Sequence, residues 1–496
     1  CRVRRDRILK VLGEQYGYDE AAVAAAVAEP IVVVTPPPLP VERFPGYLHA
    51  VRAELERRLP KNVVYGAGLV VDVGIDVVMQ SEAEALLPAK TKQYEQFVGR
   101  RGDAPLQAVG IGLDPDSGVL RAVYGGHDVT STGFNRATQS HRQPGSSFKP
   151  LVYALAFEQK DAKGEPRFTA ASTEPNAPRT FKTPQGDWRP RNVGGEFSVT
   201  ASLAQGLTWS HNIATASLLE ELGGPAPVIA FAQKLGFETK TFPVEYGIAL
   251  GQAEVVPLEM AQFVGTIANG GLKIEATTLE RVVDATGTVR VTPPTPTTRV
   301  ISAEAAALTR DLMRSVIESG TGGASRGAGG EGGYNGPAIG KTGTTDSEKD
   351  LWFVGATPRH AMVVWLGYDD PVRIGAAAAD FAAPLWGWWM GRSTRIDGTP
   401  LPEFSKEPKI VKEHICTISG KRPNASCKVI AAPFLPGTAP KGSCPHEHVV
   451  DENAPEAHES FWKKRAREAA EAAQAEGQVG DVPNAADEPN PPGPTE

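Results

Sequence analysis

Three short stretches of this 496-residue chain set hydroxyls beside amines or amides at spacings that could support chemistry. The first is Ser146-Ser147-Phe148-Lys149, entered through Arg142-Gln143-Pro144-Gly145 and left through Pro150. The second is Ser210-His211-Asn212, and the third is Lys341-Thr342-Gly343-Thr344-Thr345. A serine and a lysine three residues apart share one face of a helix, which brings the amine toward the hydroxyl. The hydroxyl is a weak nucleophile until a base takes its proton. Lysine serves as that base only when neutral, so its ordinary pKa of ~10.4 must fall through loss of water or a nearby positive charge. Lys341 is a candidate source of that charge. The chemistry implied is covalent acyl transfer, with Ser146 as nucleophile and Lys149 as general base. A sharp turn at Gly145 would point backbone N–H groups outward, so that the amides of Ser146 and Thr344 form two halves of an oxyanion hole. Gly343 would let a strand backbone come close to a substrate. Ser210 is suited to relay a proton to a leaving amine, and Asn212 to hold a substrate amide or orient Lys149. Taken singly, each stretch is equally a surface helix, an N-capped turn or a strand-end turn. Their order and setting carry the weight.

The elements that must position these residues can be read around them. Leu106–Leu113 and Val119–Tyr124 are apolar runs flanking Asp114-Pro115-Asp116-Ser117-Gly118, a hairpin signature. Far downstream, Leu351–Ala356 and Ala361–Leu366 flank Thr357-Pro358-Arg359-His360 in the same way. Helical periodicity occupies the interval, in Thr200–Leu222 and Ala303–Glu318. Hairpins at both ends of a helical insert predict an α+β fold, its antiparallel sheet completed by distant parts of the chain. Upstream, Pro45–Leu59 has helical spacing, and the β-branched runs of Val63–Val78 predict strands. Ser319–Gly336 reads as a glycine-rich loop.

Composition narrows the function. Hydrophobic residues make up 41% and charged residues 22%, enough for a large core in a globular chain. A formal charge of -7 without basic clusters argues against nucleic acid as a partner. No run approaches the ~20 apolar residues that span a bilayer. Ala21–Val34 comes nearest and is broken by Glu29 and Pro30. The chain opens without an initiator methionine or signal peptide and reads as a fragment or processed product. Cys1 would permit a lipidated terminus, but Arg2-Val3-Arg4-Arg5 reads as the interior of a longer protein.

With these motifs in hand, the sequence resembles the class A penicillin-binding proteins, the bifunctional murein synthases. Val123-Tyr124-Gly125-Gly126, Phe134–Gln139 and Arg142–Pro150 are similar to that family's nucleophile region. Glu318–Gly322, Gly340–Thr345, Asp350–Gly355 and Trp365–Asp369 are similar to its downstream landmarks. The resemblance spans roughly residues 1–400. It implies a penicillin-binding/β-lactamase-like transpeptidase fold, with a five-stranded antiparallel sheet flanked by helices and a helical subdomain. Ser146 would be the nucleophile, Lys149 the base, and Ser210 with Asn212 the second motif. Lys341, Thr342, Gly343 and Thr344 would bind substrate, the carboxylate falling to Lys341, Thr342 and Thr344. The implied partners are peptidoglycan stem peptides, with a D-Ala-D-Ala donor and an amine acceptor, and β-lactam antibiotics that mimic the donor. An extracytoplasmic location follows, without cofactor or metal, and with membrane contact only through an N-terminal anchor missing from this chain.

The expected organisation is a remnant of a glycosyltransferase domain and connector in 1–40, a linker module in 41–104 and the transpeptidase domain in 105–400. A small cysteine-containing module follows in 408–450, then a charged helix (His458–Glu476) and a disordered tail within 451–496. No glycan polymerisation is expected from this chain. Two departures stand out: His211 replaces the aspartate of the usual second motif, and Asp346 stands where asparagine is frequent. Residues 127–133 read as a small loop insertion. Cys416, Cys427 and Cys444 point to a local disulfide with one thiol left over. Together with His446 and His448 they also read as a zinc set, the disulfide being preferred. His49, Trp386, Trp388 and Trp389 are expected in the core or lining a groove. The rival functions are a D,D-carboxypeptidase or β-lactamase on the same fold, and a non-catalytic β-lactam-binding scaffold. A class A β-lactamase needs a glutamate for its deacylating water. None can be assigned between Ser210 and Lys341, since Glu220 and Glu221 read as solvated.

Overall fold

Apolar runs of five to seven residues that are buried on both faces build the centre of the molecule. The computed structural model describes residues 2–31, 43–101, 103–292, 295–327, 333–394 and 401–446. Cys1, the connector prolines from Pro36 to Pro38, His448, the expected charged helix and the expected tail lie outside the described residues. The chain divides into two units, 1–43 and 44–496. In the first, helices Arg2–Tyr16 and Glu20–Ala28 form a hairpin with no fully buried residue, tied by Arg5 donating to the carbonyls of Val27 and Glu29.

The second unit is built on five antiparallel strands: β1 (Gln107–Leu113), β2 (Leu120–Tyr124), β3 (Ile339–Thr344), β4 (Asp350–Ala356) and β5 (Ala361–Gly367). Their spatial order is β3-β4-β5-β1-β2, so β1 of the first hairpin pairs with β5 of the second. The five-stranded sheet is therefore as expected, closed by segments more than two hundred residues apart.

Side chains alternate between two cores, as the period of a strand requires. Trp352, Trp365 and Val109 share one face, with Val354, Val363, Ile111 and Val123 beside them. Leu351, Leu366 and Ala108 share the other, with Phe353, Val364 and Tyr124. Helices α1 (Val77–Val98) and α7 (Ala382–Ser393) cover the second face. The first is covered by α5 (Pro257–Ala268) and α6 (Ala303–Ser319), with α2 (Lys149–Glu158) packed on α6. Burial on both sides is why the strands read as continuous apolar runs rather than alternating ones.

The large aromatics bear this out. Trp352, Trp365, Trp386 and Trp389 are fully buried, and each indole N–H finds an acceptor: Gln143 O, Asp350 Oδ1, Met362 O and Met79 O. Trp386 and Trp389 are therefore core residues, while Trp388 is half-buried beneath the Lys90 ammonium, 4.2 Å from its ring centre. His49 is half-buried on helix Pro45–Arg58.

Two expectations fail locally. Val63–Val78 contains only one short strand, Val70–Val73, flanked by helix Lys61–Gly66 and by α1. The β-branched pair Val77-Val78 starts α1 because Asp76 caps it, accepting from the N–H groups of Val78 and Met79. Packing against the sheet then outweighs the weak helix propensity of valine. Thr200–Leu222 is not one helix. It runs as strand Thr200–Ser202, helix α3 (Leu203–Thr208), a break at Trp209-Ser210-His211, and helix α4 (Asn212–Glu221). Residues 129–132 of the expected loop insertion form a single helical turn.

The small C-terminal module pairs β6 (Val411–Cys416) with β7 (Val429–Phe434). Ile415, Ala432 and Phe434 join the main core, against α3 and α6. Among the described residues no disulfide forms: the sulfurs of Cys416 and Cys444 are 3.7 Å apart.

Candidate active site

Ser146 sits on a 3-10 turn, Gly145–Phe148, that runs straight into α2 at Lys149. The expectation of a shared α-helical face is thus modified. In a 3-10 turn residues i and i+3 eclipse each other, which stacks Ser146 and Lys149 more directly than an α-helix would. The turn is seated against the free edge of β3. Gly145 has φ +53°, and a Cβ there would lie 2.7 Å from the Thr344 carbonyl oxygen. A Cβ on Gly343 would lie 2.3 Å from the Pro144 carbonyl oxygen. Glycine is required at both positions, at Gly145 by the backbone conformation as well. The segment before the turn is fixed by Trp352 Nε1 donating to Gln143 O and by the paired backbone bonds of Arg142 with Val255.

Lys149 is completely buried beneath the turn, whereas Ser146 stays partly open to solvent. The Lys149 amine lies 2.6 Å from Ser210 O, 2.7 Å from Asn212 Oδ1 and 3.2 Å from Ser210 Oγ. Lys341, also completely buried, donates to the same Ser210 Oγ at 2.9 Å and to Thr342 O at 3.0 Å. One hydroxyl therefore bridges two amines, and the three sequence motifs meet at it. No hydrogen bond joins Lys149 to Ser146 in this arrangement, so the anticipated amine–hydroxyl contact is replaced by contacts to the second motif. Catalytic hydrogen bonds commonly tighten only when substrate is bound.

Electrostatics follow from burial. Loss of water holds Lys149 well below its ordinary pKa, and the charge of Lys341 adds to that effect. Burial alone pushes Lys341 down to about 7. The Lys149 amine donates to Ser210 O, to Asn212 Oδ1 and, at the longest distance, to Ser210 Oγ. Ser210 Oγ thus accepts from both buried amines. His211 does not add a cation beside it: burial, then the charge on Lys149, push its pKa to about 4. Asp346, the other departure, is exposed and acts on Lys149 only by favouring its charged form.

Ser210 takes this position through an unusual backbone. Its φ is +61°, in the left-handed region where non-glycine residues are uncommon. It follows the end of α3, where glycine is the usual solution. Glycine would suit the turn but would remove the hydroxyl that both lysines use. Strain of this kind, on the order of 1–3 kcal/mol, tends to collect at functional sites.

The third motif lines the edge strand. Thr342 is buried, its hydroxyl 2.8 Å from that of Thr321, and Thr344 is half-buried with Oγ1 accepting from Ala378 N. Sequence reasoning did not assign Thr321 a role, although it lies in the Glu318–Gly322 landmark. It also missed Asn192, which accepts from the N–H groups of Asn212 and Ile213 and so caps α4 from outside. Nothing in the local pattern marks Asn192; its tie to α4 exists only through the folded loop. Arg191 O accepts from Asn212 Nδ2, which turns Asn212 Oδ1 toward Lys149. Glu220 and Glu221 are exposed and paired with Arg179 and Arg167.

Comparison with known proteins agrees with this geometry. The family described as "Penicillin binding protein transpeptidase domain" matches residues 109–385, and "Penicillin-binding protein 1A, C-terminal domain" matches 406–448. Penicillin-binding protein 1A of Neisseria lactamica is 35% identical over 337 residues, covering 64% of this chain and 40% of that protein. The chain thus spans less than half the length of this relative. The crystal structure of penicillin-binding protein 1A from Haemophilus influenzae has the same fold, with a TM-score of 0.69 at 23% identity, over 89% of this chain and 83% of that one. PonA1 from Mycobacterium tuberculosis, solved in complex with penicillin V, gives a TM-score of 0.60 at 26% identity, over 73% of this chain and 96% of that one. The chain belongs to the class A penicillin-binding protein family, as a transpeptidase domain followed by the small C-terminal domain of its 1A members.

Proposed function

We propose that this chain is a D,D-transpeptidase that cross-links peptidoglycan stem peptides through an acyl-enzyme on Ser146, outside the cytoplasmic membrane. The observation that carries this reading is the pair of buried amines, Lys149 and Lys341, sharing the Ser210 hydroxyl beneath the Ser146 turn. Lys149 takes the Ser146 proton as Ser146 Oγ attacks the penultimate D-Ala carbonyl of the donor. The oxyanion is held by the N–H groups of Ser146 and Thr344, one at the start of a helical turn and one on the free edge of β3. The proton reaches the departing D-Ala amine through Ser210. Asn212 keeps the Lys149 amine oriented, and Lys341, Thr342 and Thr344 receive the donor's terminal carboxylate, with Gly343 allowing the peptide to lie along β3 as an added strand. An acceptor amine then attacks the ester and regenerates Ser146. A β-lactam would enter as a donor mimic, as the penicillin V complex of PonA1 suggests for a relative. Among the described residues no carboxylate hydrogen-bonds Ser146, Lys149, Ser210 or Lys341. This favours amine attack over the glutamate-activated hydrolysis of class A β-lactamases.

The test is intact-mass analysis after incubation with a β-lactam, alongside Ser146→Ala. A persistent adduct on the parent chain that is lost in the variant is expected. Folded parent chain that gains no mass would exclude the acyl-enzyme, and rapid loss of the adduct would favour carboxypeptidase chemistry.

A further inference from the structure

The C-terminal module brings together three sulfurs that the transpeptidase chemistry does not use. Cys416 ends β6, Cys427 lies in the turn entering β7, and Cys444 follows β7 on a separate loop. The sulfurs all lie within 4.8 Å of one another, and the Cys416–Cys444 pair is 3.7 Å apart. We propose that these three thiolates hold a single Zn2+ ion that staples the module.

Two geometric facts separate this from a disulfide. Zinc–sulfur bonds of ~2.3 Å in a tetrahedron put neighbouring sulfurs ~3.8 Å apart, close to the observed spacing, whereas a disulfide needs ~2.05 Å. A disulfide would also use two sulfurs and strand the third beside it, whereas a tetrahedral ion uses all three. The sulfurs are furthermore met by backbone donors. Ser419 N–H points at Cys416 Sγ at 3.5 Å, and Asn424 N–H at Cys427 Sγ at 3.3 Å. Such bonds stabilise thiolate charge and fix ligand orientation, as the partners surrounding a metal's own ligands generally do.

The loops that carry the sulfurs are already in register. Cys416 N–H donates to Lys421 O, Cys444 N–H to Arg422 O, and Arg422 N–H to Gly442 O. The module's own scaffold is small. It is one two-stranded ribbon, a unit marginal by itself, with Ile415, Ala432 and Phe434 as its apolar anchors on the main core. A metal that joins three segments and binds only the folded module adds its binding free energy to folding. The fourth tetrahedral position falls to an imidazole or a water; His446 lies two residues after Cys444 in sequence.

The test uses the full chain, without a histidine tag, purified under reducing conditions without chelator and dialysed against Zn2+-free buffer. Elemental analysis should find one zinc per chain, and Co2+ exchanged into the protein should give an intense near-ultraviolet thiolate-to-cobalt band with tetrahedral visible absorption. Ser replacement of Cys416, Cys427 or Cys444 should each abolish stoichiometric metal, while Cys1→Ser retains it. β-Lactam acylation at Ser146 serves as the folding control, so loss of metal in an acylating variant is a loss of ligand. Acylation-competent, reduced parent chain with neither zinc nor a cobalt–thiolate band would overturn the proposal. So would a Cys416–Cys444 disulfide found by non-reducing peptide mapping of the native protein.

Discussion

Two buried basic groups in this molecule meet opposite fates. Arg136 is 2% exposed and lies between two carboxylates, Asp128 at 2.6 Å and Asp369 at 2.5 Å. These partners outweigh burial and raise its pKa further. Lys149 and Lys341 are buried as deeply, but face hydroxyls and carbonyls, and both are pushed down. Burial alone therefore does not decide what a cation becomes. The acceptor opposite it does: carboxylates turn Arg136 into a permanent clasp between loops, whereas neutral oxygens leave both lysines below their ordinary pKa.

The contrast is broken most severely at Lys149. Lys149→Ala should lower β-lactam acylation about 10²–10⁴-fold, measured as the rate of mass gain, with the fold retained by circular dichroism. Acylation at the parent rate would remove the general-base assignment. Lys341→Met should also cut acylation strongly, yet raise the melting temperature, because it removes a buried amine without a carboxylate partner. A lower melting temperature would mean that Lys341 is held favourably and the comparison with Arg136 is misdrawn.

The pH profile sharpens the same point. Acylation should rise as Lys149 loses its proton, well below ~10.4, and fall above about 7 as Lys341 loses the charge that attracts a carboxylate. The linked stability runs in a definite direction. The folded pKa of Lys341 lies below its unfolded value of 10.5, so between about 7 and 10.5 the unfolded chain binds the extra proton. Stability from this group therefore increases with pH across that window and is constant outside it. Thermal melts of the parent chain and Lys341→Met should differ least at the alkaline end.

Arg136→Met should do the reverse of Lys341→Met. It leaves Asp128 and Asp369 without their shared partner and should cost about 1–3 kcal/mol in urea unfolding, while acylation by the folded fraction changes far less than in the lysine variants. The smallest effect is expected at Asn192. Asn192→Ala removes the external cap of α4 and should cost about 1 kcal/mol, with a modest loss of acylation as Asn212 loosens.

Much of this was legible in the chain itself. The two hairpins could be read because their strands are apolar on both faces, and a run such as Ala361–Leu366 admits few other fates between turn residues. The three motifs could be read because each keeps its chemistry within a few consecutive residues. What stayed hidden depends on distant partners. The strand prediction at Val63–Val78 failed because α1 owes its helix to Asp76 and to the sheet it covers rather than to the preferences of its valines. The long helix expected over Thr200–Leu222 is broken at Ser210, whose left-handed backbone is held by contacts to Lys149 and Lys341 that no local window contains. Residue types and short spacings thus determined which groups can react and which strands must be buried. Only the tertiary structure decided that two amines share one hydroxyl, that Asn192 caps α4, and that Cys416, Cys427 and Cys444 converge, because burial and the absence of a countercharge are properties of the assembled surroundings.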